Sequence, residues 1–199
     1  MKQPRQHAQY LTRKVALREP KERFLIVCEG AKTEPNYFRS FRVTSADIQI
    51  FGAGMSTLSL VQYCMKRRSE SSEPYDQVWC VFDRDSNPPD GFNAAIRKAK
   101  SEGINVAYSN EAFELWFLLH FDYCDSALCR QDYIRNLSAY LGYPYDKRAP
   151  MYDILRSQQT VAIEHAKRLL DLHASTSPAQ ANPSTTVHLL VMQLQRFMN

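Results

Sequence analysis

Continuous apolar runs alternate with amphipathic segments over the first two thirds of the chain. The runs FLIVC, IQIF, QVWCVF and INVAY have the length and content of strands covered on both faces, and they lie at 24–28, 48–51, 77–82 and 104–108. A segment with helical spacing follows each run, and the last of these, EAFELWFLLHF, comes after Asn110, a good helix cap. This alternation predicts a parallel sheet with helices on both faces.

Strand signals stop at about residue 130. A connector rich in Pro and Ser, STSPAQANPST, lies before the final segment of the chain. The remaining segments are predicted to be helices, at 131–141, 151–157, 160–173 and 185–198.

Together these patterns predict an α/β fold. We expect a Rossmann-like parallel sheet of about four strands, followed by a helical C-terminal extension. The expected parts are a basic arm over 1–23, an α/β core over 24–129, and a helical subdomain over 130–199 that packs on the core.

Positive charge is concentrated at the N-terminus. The chain has a formal net charge of +4, and residues 1–23 carry seven Lys or Arg against two Glu, so the rest is close to neutral. A basic arm before a near-neutral body suits contact with the phosphate backbone of a nucleic acid. The alternative interpretation is a solvated, poorly ordered terminus, which has the same composition.

The cysteines and the hydropathy bear on location. Five cysteines are an odd number without a CxxC pair, and no apolar stretch approaches the length of a membrane span or a signal peptide. We therefore expect reduced thiols, no membrane partner and a cytoplasmic location. No pattern in the sequence indicates the oligomeric state.

Carboxylates directly follow two of the predicted strands. Glu29 comes after FLIVC, while Asp83 and Asp85 come after QVWCVF. Because the carboxyl ends of neighbouring parallel strands meet at one edge of a sheet, these side chains are expected to converge there. Crowded carboxylates need a cation between them, and oxygen ligands without His or Cys favour Mg²⁺ or Mn²⁺. An Asp-x-Asp motif is also common in turns. The metal-site hypothesis therefore depends on Glu29 and the Asp-x-Asp motif occurring together, each directly after an apolar run.

Positive and small residues accompany these acids. Gly30 leaves room at the backbone for a phosphate or a metal-bound water. A helix that begins at Thr33 adds positive potential beside it. Four cations are candidate phosphate contacts, although each is also consistent with an ordinary solvated side chain: Lys32, Arg39, Arg42 and Arg84.

The segment after the fourth predicted strand adds further candidates. Glu111 and Glu114 are three residues apart and share a helix face, so Glu114 is expected to assist at the site. His120 lies on an apolar helix, where one ordinary hydrogen bond is a simpler role than catalysis.

Two segments, CEGAKTE and VWCVFDRD, resemble the Toprim fold of topoisomerases, bacterial primases and the overcoming-lysogenization-defect nucleases. The longer pattern FLIVCEGAKTEPNYF, VWCVFDRD, YSNEAFELWFLLHF and NPSTTVHLLV resembles the RloB-like family over about 24–193. Members of that family are found beside restriction-modification and abortive-infection genes, commonly with an ATPase encoded nearby. The resemblance implies that Glu29 acts as general acid or base and that Asp83 and Asp85 hold Mg²⁺.

The activity implied by this resemblance is a Mg²⁺-dependent nuclease that cleaves DNA or RNA in anti-phage defence with an ATPase partner. Glu29, Asp83, Asp85 and Glu114 would be its catalytic residues, and the first three its metal ligands. No tyrosine fits the nucleophile of a topoisomerase, which favours metal-activated water. The sequence leaves open whether one ion or two are bound.

Two other interpretations share these carboxylates. Haloacid dehalogenase phosphatases also place Asp-x-Asp after a strand, but there the motif opens the fold, whereas here two strands precede it. A non-catalytic subunit that binds metal and nucleic acid, or acts as a scaffold for an ATPase, is the second alternative. The near-neutral body, without a recognisable basic groove, favours that alternative over a nuclease that acts alone.

Overall fold

All four apolar runs form strands, and they belong to one sheet. The computed structural model describes residues 21–85 and 87–198. The strands are β1 (Glu22–Cys28), β2 (Ala46–Gly52), β3 (Gln77–Asp83), β4 (Asn105–Asn110) and β5 (Ser184–Thr185). Their spatial order is β2-β1-β3-β4-β5, with the first four parallel and β5 antiparallel to β4.

Helices connect the strands and make up most of the C-terminal third. A short 3₁₀ turn, Arg156–Gln158, joins two of them. The helices are α1 (Thr33–Arg39), α2 (Thr57–Ser69), α3 (Pro89–Ser101), α4 (Glu114–Leu118), α5 (Arg130–Leu141), α6 (Met151–Leu155), α7 (Gln159–Leu172) and α8 (Val187–Gln195).

Alternate residues of the central strands pack on opposite helical layers, as the pattern predicts. Leu25 and Val27 of β1 pack with α2 and α3, whereas Phe24 and Ile26 pack with α1, α4, α5, α7 and α8. All four side chains are fully buried. The prediction of helices on both faces of a mainly parallel sheet is therefore confirmed.

The sheet has five strands rather than about four. β5 lies in the Pro- and Ser-rich stretch expected to be a connector, and its two residues carry too little pattern to read as a strand. Hydroxyl groups hold it in place: the Thr185 Oγ1 donates to the Tyr108 carbonyl at 3.0 Å and lies 3.1 Å from the Ser109 Oγ. The segment expected to be purely helical thus also contributes to the sheet.

The helix after β4 is shorter than predicted. It spans Glu114–Leu118 rather than 111–121, because Asn110 ends β4 instead of capping a helix. The Asn110 side chain donates to the carbonyls of Pro178 and Ala179, at 3.1 and 3.2 Å. The last helix is also shorter than predicted, Val187–Gln195 rather than 185–198.

The predicted basic arm falls mostly outside the described residues, which begin at Lys21. Of its last residues, Glu22 and Arg23 belong to β1. Among the described residues, no helix combines the length and the hydropathy that crossing a bilayer requires.

Candidate functional site

The strand order changes direction between β1 and β3. From β1 the chain moves outward to β2, then returns to the other side of β1 to form β3. In open α/β sheets, the carboxyl ends of the two strands at such a reversal flank a crevice. Glu29 and Asp83 lie at these two ends, and the Glu29 N–H donates to the Val81 carbonyl at 2.8 Å.

Asp83 is buried at the end of β3 and is paired with an arginine. Its Oδ2 lies 2.7 Å from the Nη2 of Arg130, the first residue of α5. The same Nη2 lies 3.0 Å from the Asp85 Oδ2, and the Arg130 Nε lies 3.9 Å from the Glu114 Oε2. The cation that crowded carboxylates require is therefore supplied here by a side chain.

Glu34 belongs to the same cluster and is buried, with 5% of its surface exposed. Its carboxylate lies beside Gly30, where an added Cβ would come within 2.8 Å of the Glu34 Cδ. The missing side chain of Gly30 therefore makes room for the Glu34 carboxylate.

Glu29 reaches the same rim from the other side of the sheet. Its Oε1 accepts a hydrogen bond from the Thr57 hydroxyl at 3.3 Å, and its Oε2 accepts one from the Asp83 backbone N–H at 3.1 Å. The Glu29 carboxylate is thus tied to the main chain of Asp83, whereas the Asp83 side chain points to Arg130.

Burial raises the pKa of three of these acids, Glu29, Glu34 and Asp83. Burial raises the pKa of Asp83 well above its ordinary value, and the nearby Glu34 raises it further. The pKa of Glu34 is raised by burial and then by Glu114, and the pKa of Glu29 is raised chiefly by burial. Arg130 lowers the pKa of Asp83 and Glu34 without offsetting these effects.

The loop after β3 is held by the end of β4. The backbone N–H groups of Arg84 and Asp85 donate to the carbonyls of Ser109 and Glu111, at 2.8 and 2.9 Å. Asp85 adopts a left-handed backbone conformation with φ of 40°, which aspartate tolerates better than most residues. The Arg84 guanidinium donates to the carbonyls of Asp85 and Asn87, so it stabilises its own loop.

An open pocket of about 240 Å³ lies above this cluster. Glu34, Asp83, Glu114 and Arg130 line it, together with Lys32 and Lys147 from two different loops. Its lining residues are Gly30, Ala31, Lys32, Thr33, Glu34, Asp83, Phe113, Glu114, Arg130 and Lys147.

The other predicted cations have different surroundings. Arg39 donates to the Ile50 carbonyl of β2 at 3.1 Å, and Arg42 is exposed. Neither lines the pocket, so among the described residues Lys32 is the one predicted phosphate contact that does. His120 is buried, and its Nδ1–H donates to the Trp116 carbonyl at 2.8 Å, which is the ordinary structural role.

The donor chemistry fits a hard divalent ion, although the acids are arranged around the arginine. Within 21–85 and 87–198, no three His, Cys, Asp or Glu side chains are grouped as the ligands of one metal. The Asp83 Oδ1, however, is buried and has no hydrogen-bond partner among the described residues. A buried, unpaired carboxylate oxygen beside further carboxylates is a suitable ligand for Mg²⁺ or Mn²⁺.

The model of the family described as RloB-like protein matches residues 24–194, most of the chain. The chain belongs to the RloB-like family. Comparisons with curated proteins and with solved structures gave no significant match. In this RloB-like protein, every residue of the acidic cluster and Arg130 lie inside the matched region.

Sequence reasoning missed three residues of this RloB-like site. Glu34 looks like an ordinary first-turn acid of α1, and Arg130 and Lys147 lie in the segment expected to be a separate helical subdomain. One signal was present: five carboxyl groups near one rim demand cations, and a search for arginines at helix starts would have included Arg130.

Proposed function

We propose that this RloB-like protein is a divalent-metal-dependent phosphodiester hydrolase with a Toprim-type site. The observation that supports the proposal most directly is that carboxyl groups outnumber cationic groups at the carboxyl ends of β1 and β3. Five carboxyl groups lie there with one guanidinium: Glu29 and Asp85 just after β1 and β3, Asp83 in β3, Glu34 in α1 and Glu114 in α4. A structural ion pair with Arg130 accounts for one carboxylate, and a Mg²⁺ site, which typically uses one or two carboxylates with waters and substrate phosphates, accounts for more of them.

Asp83, Asp85 and Glu114 would hold the ion. When bound, the ion would supply a Lewis acid for a phosphate oxygen. Glu29 is suited to carry a proton, because burial raises its pKa and its carboxylate remains partly exposed at the rim. Its hydrogen bonds from Thr57 and the Asp83 N–H would keep the carboxylate oriented during that transfer.

The substrate is an anionic polymer in this proposal. Lys32 and Lys147 line the pocket beside the acids, which suits a phosphate placed between the lysines and a bound ion. The pocket is open to solvent, as a strand of DNA or RNA requires. The resemblance to restriction-locus proteins supports anti-phage defence as the setting and an ATPase as the partner.

A cleavage assay tests the proposal. Purified protein is incubated with labelled single- and double-stranded DNA and RNA in Mg²⁺, Mn²⁺ or EDTA, beside Glu29→Gln and Asp83→Asn. We expect cleavage that EDTA abolishes and that each substitution lowers by about 100-fold or more. Glu164→Gln is the matched control, since Glu164 is an exposed acid of α7 that pairs with Lys167. Cleavage that survives chelation and both site variants would remove the proposal.

One observation favours a second candidate, a non-catalytic subunit that binds nucleic acid for an ATPase. The ion pairs of Arg130 already give the carboxylates a counter-charge without a metal. A binding subunit would retain nucleic acid in a filter-binding assay, with and without its ATPase, and would cleave none of the substrates.

A further inference from the structure

Arg130 pairs with the surrounding carboxylates through one nitrogen of its guanidinium group. Its Nη2 makes both short contacts, to the Asp83 Oδ2 at 2.7 Å and to the Asp85 Oδ2 at 3.0 Å. Its Nε is buried without a hydrogen-bond partner among the described residues, and the nearest Glu114 oxygen is 3.9 Å away. In a bidentate arginine–carboxylate ion pair, the guanidinium donates two parallel hydrogen bonds to one carboxylate, which Arg130 does not do here.

The Arg130 side chain is able to leave while its helix stays in place. α5 begins at Arg130, and its start is fixed by Cys129 and Asp132: the Cys129 N–H donates to the Asp132 Oδ2 at 3.3 Å. The Arg130 side chain keeps 31% of its surface exposed and borders the open pocket. Rotation about its side-chain bonds therefore suffices to move the guanidinium towards solvent.

We propose that Arg130 competes with the divalent ion for Asp83, neutralising the acids in the metal-free protein and moving to the pocket mouth when the ion binds. This inference rests on the proposed function, because the ion is that of the proposed hydrolase. The Arg130 Nη2 contacts the Oδ2 atoms of Asp83 and Asp85, the two aspartates that would hold the ion. A doubly charged ion attracts the same carboxylates more strongly than a guanidinium does.

The released guanidinium has a second use at the pocket mouth. Lys32 and Lys147 line the same pocket, so Arg130 would join two cations where a substrate phosphate approaches. A guanidinium binds phosphate through paired hydrogen bonds that lysine does not make. Metal binding would thus change Arg130 from a partner of the acids into a contact for the substrate.

Titration of Mn²⁺ followed by electron paramagnetic resonance tests the competition without any cleavage assay. The proteins are the full chain, Arg130→Gln, Arg130→Lys and the matched control Arg135→Gln, which alters an exposed arginine of the same helix that pairs with Asp132. We expect Arg130→Gln to bind Mn²⁺ about tenfold more tightly than the unaltered chain, the scale of one charge interaction near a surface. Arg130→Lys should lie between them, and Arg135→Gln should match the unaltered chain.

Thermal unfolding supplies the second readout. In EDTA, Arg130→Gln should unfold at a lower temperature than the unaltered chain. Mn²⁺ should raise the unfolding temperature of Arg130→Gln by more than it raises that of the unaltered chain. If Arg130→Gln fails to fold, Arg130→Lys gives the same comparison.

The outcomes separate this inference from the proposed hydrolase. Mn²⁺ binding that Asp83→Asn abolishes but that does not tighten when Arg130 is replaced would overturn the competition and leave the metal site standing. Tighter binding in Arg130→Gln, together with no cleavage of any nucleic acid, would support the competition and overturn the hydrolase. No Mn²⁺ binding by any of the variants would overturn both.

Discussion

Burial of the Glu34 carboxyl raises its pKa, and the charge of Glu114 raises it further. A carboxyl whose pKa is raised on folding opposes the folded state once the pH exceeds its ordinary range. The residue therefore costs stability in the metal-free protein, as is common for side chains retained for their chemistry.

Replacing Glu34 with Gln should stabilise the metal-free protein. The substitution keeps the shape and removes one unfavourable charge, so we expect the free energy of unfolding in EDTA at pH 8 to rise by about 1 kcal/mol. The gain should shrink at pH 5, where a raised pKa leaves more of the Glu34 carboxyl neutral. Urea denaturation measures both values, with Glu164→Gln as the exposed control. A loss of stability at pH 8 would contradict the prediction.

His120 makes stability depend on pH in the opposite direction. Burial lowers its pKa from 6.5 to about 4, so the folded protein holds it neutral. A depressed pKa gives stability that is complete above the unfolded value of 6.5 and is lost as the pH falls towards 4.

The contribution of His120 should amount to about 2 kcal/mol between pH 7.5 and pH 5. His120→Gln removes it, so the difference in unfolding free energy between the unaltered chain and the variant should narrow by that amount over this range. Urea titrations at the two pH values provide the measurement. Parallel pH profiles for the two proteins would exclude His120 as the source.

The sequence predicts individual site residues when they follow an apolar run directly. Glu29, Asp83 and Asp85 were found in this way, because strand ends and chemistry coincide in a parallel sheet. Arg130 has no such local mark: it lies 47 residues beyond Asp83, and its contact depends on how α5 packs. Tertiary packing, rather than local pattern, decides which cation meets the acids.

At the scale of elements, the end of β2 supports the loop that carries the site. A Cβ at Gly52 would lie 2.8 Å from the Gly30 carbonyl oxygen and 2.9 Å from both the Ala31 Cα and the Pro35 Cγ. The strand therefore touches the backbone between Glu29 and α1 with no space for a methyl group.

Gly52→Ala should push that loop away from β2. We expect a loss of about 1–3 kcal/mol in unfolding free energy, because two of the three contacted atoms belong to the backbone. Gly91→Ala is the control: Gly91 lies in α3 with open space around it, and alanine there should stabilise by about 0.5–1 kcal/mol. Thermal unfolding of the two variants gives the comparison, and equal effects would argue against a tight approach at Gly52.

Long elements were predictable and the shortest ones were not. The four parallel strands and the helices α5 and α7 follow the hydrophobic pattern to within a few residues. β5 is a strand because its hydroxyl groups bond to β4, and two residues carry no periodicity. The late start of the helix after β4 has a similar cause, since Asn110 ends β4 and bonds to the distant Pro178 and Ala179.

At the scale of the whole molecule, the C-terminal third completes the core. Trp116 and Phe117 of α4 are fully buried, and they pack in one cluster with Tyr133 and Leu137 of α5 and Leu190 of α8. The same third supplies β5, Arg130 and Lys147.

A fragment that ends at residue 129 should therefore fail to fold cooperatively. It would expose Trp116 and Phe117 and leave β4 without its antiparallel neighbour. We expect red-shifted tryptophan emission and no sigmoidal thermal transition, whereas the full chain should show both a buried emission and a transition. A sharp transition in the fragment would mean that the α/β part is independent.

The order of residues in the site matters during synthesis. All five acids, from Glu29 to Glu114, leave the ribosome before Arg130. Because the chain before α5 is expected not to fold by itself, the acids and the guanidinium come together only when α5 packs on the earlier elements. The candidate site is therefore completed late in synthesis, after α5 has emerged.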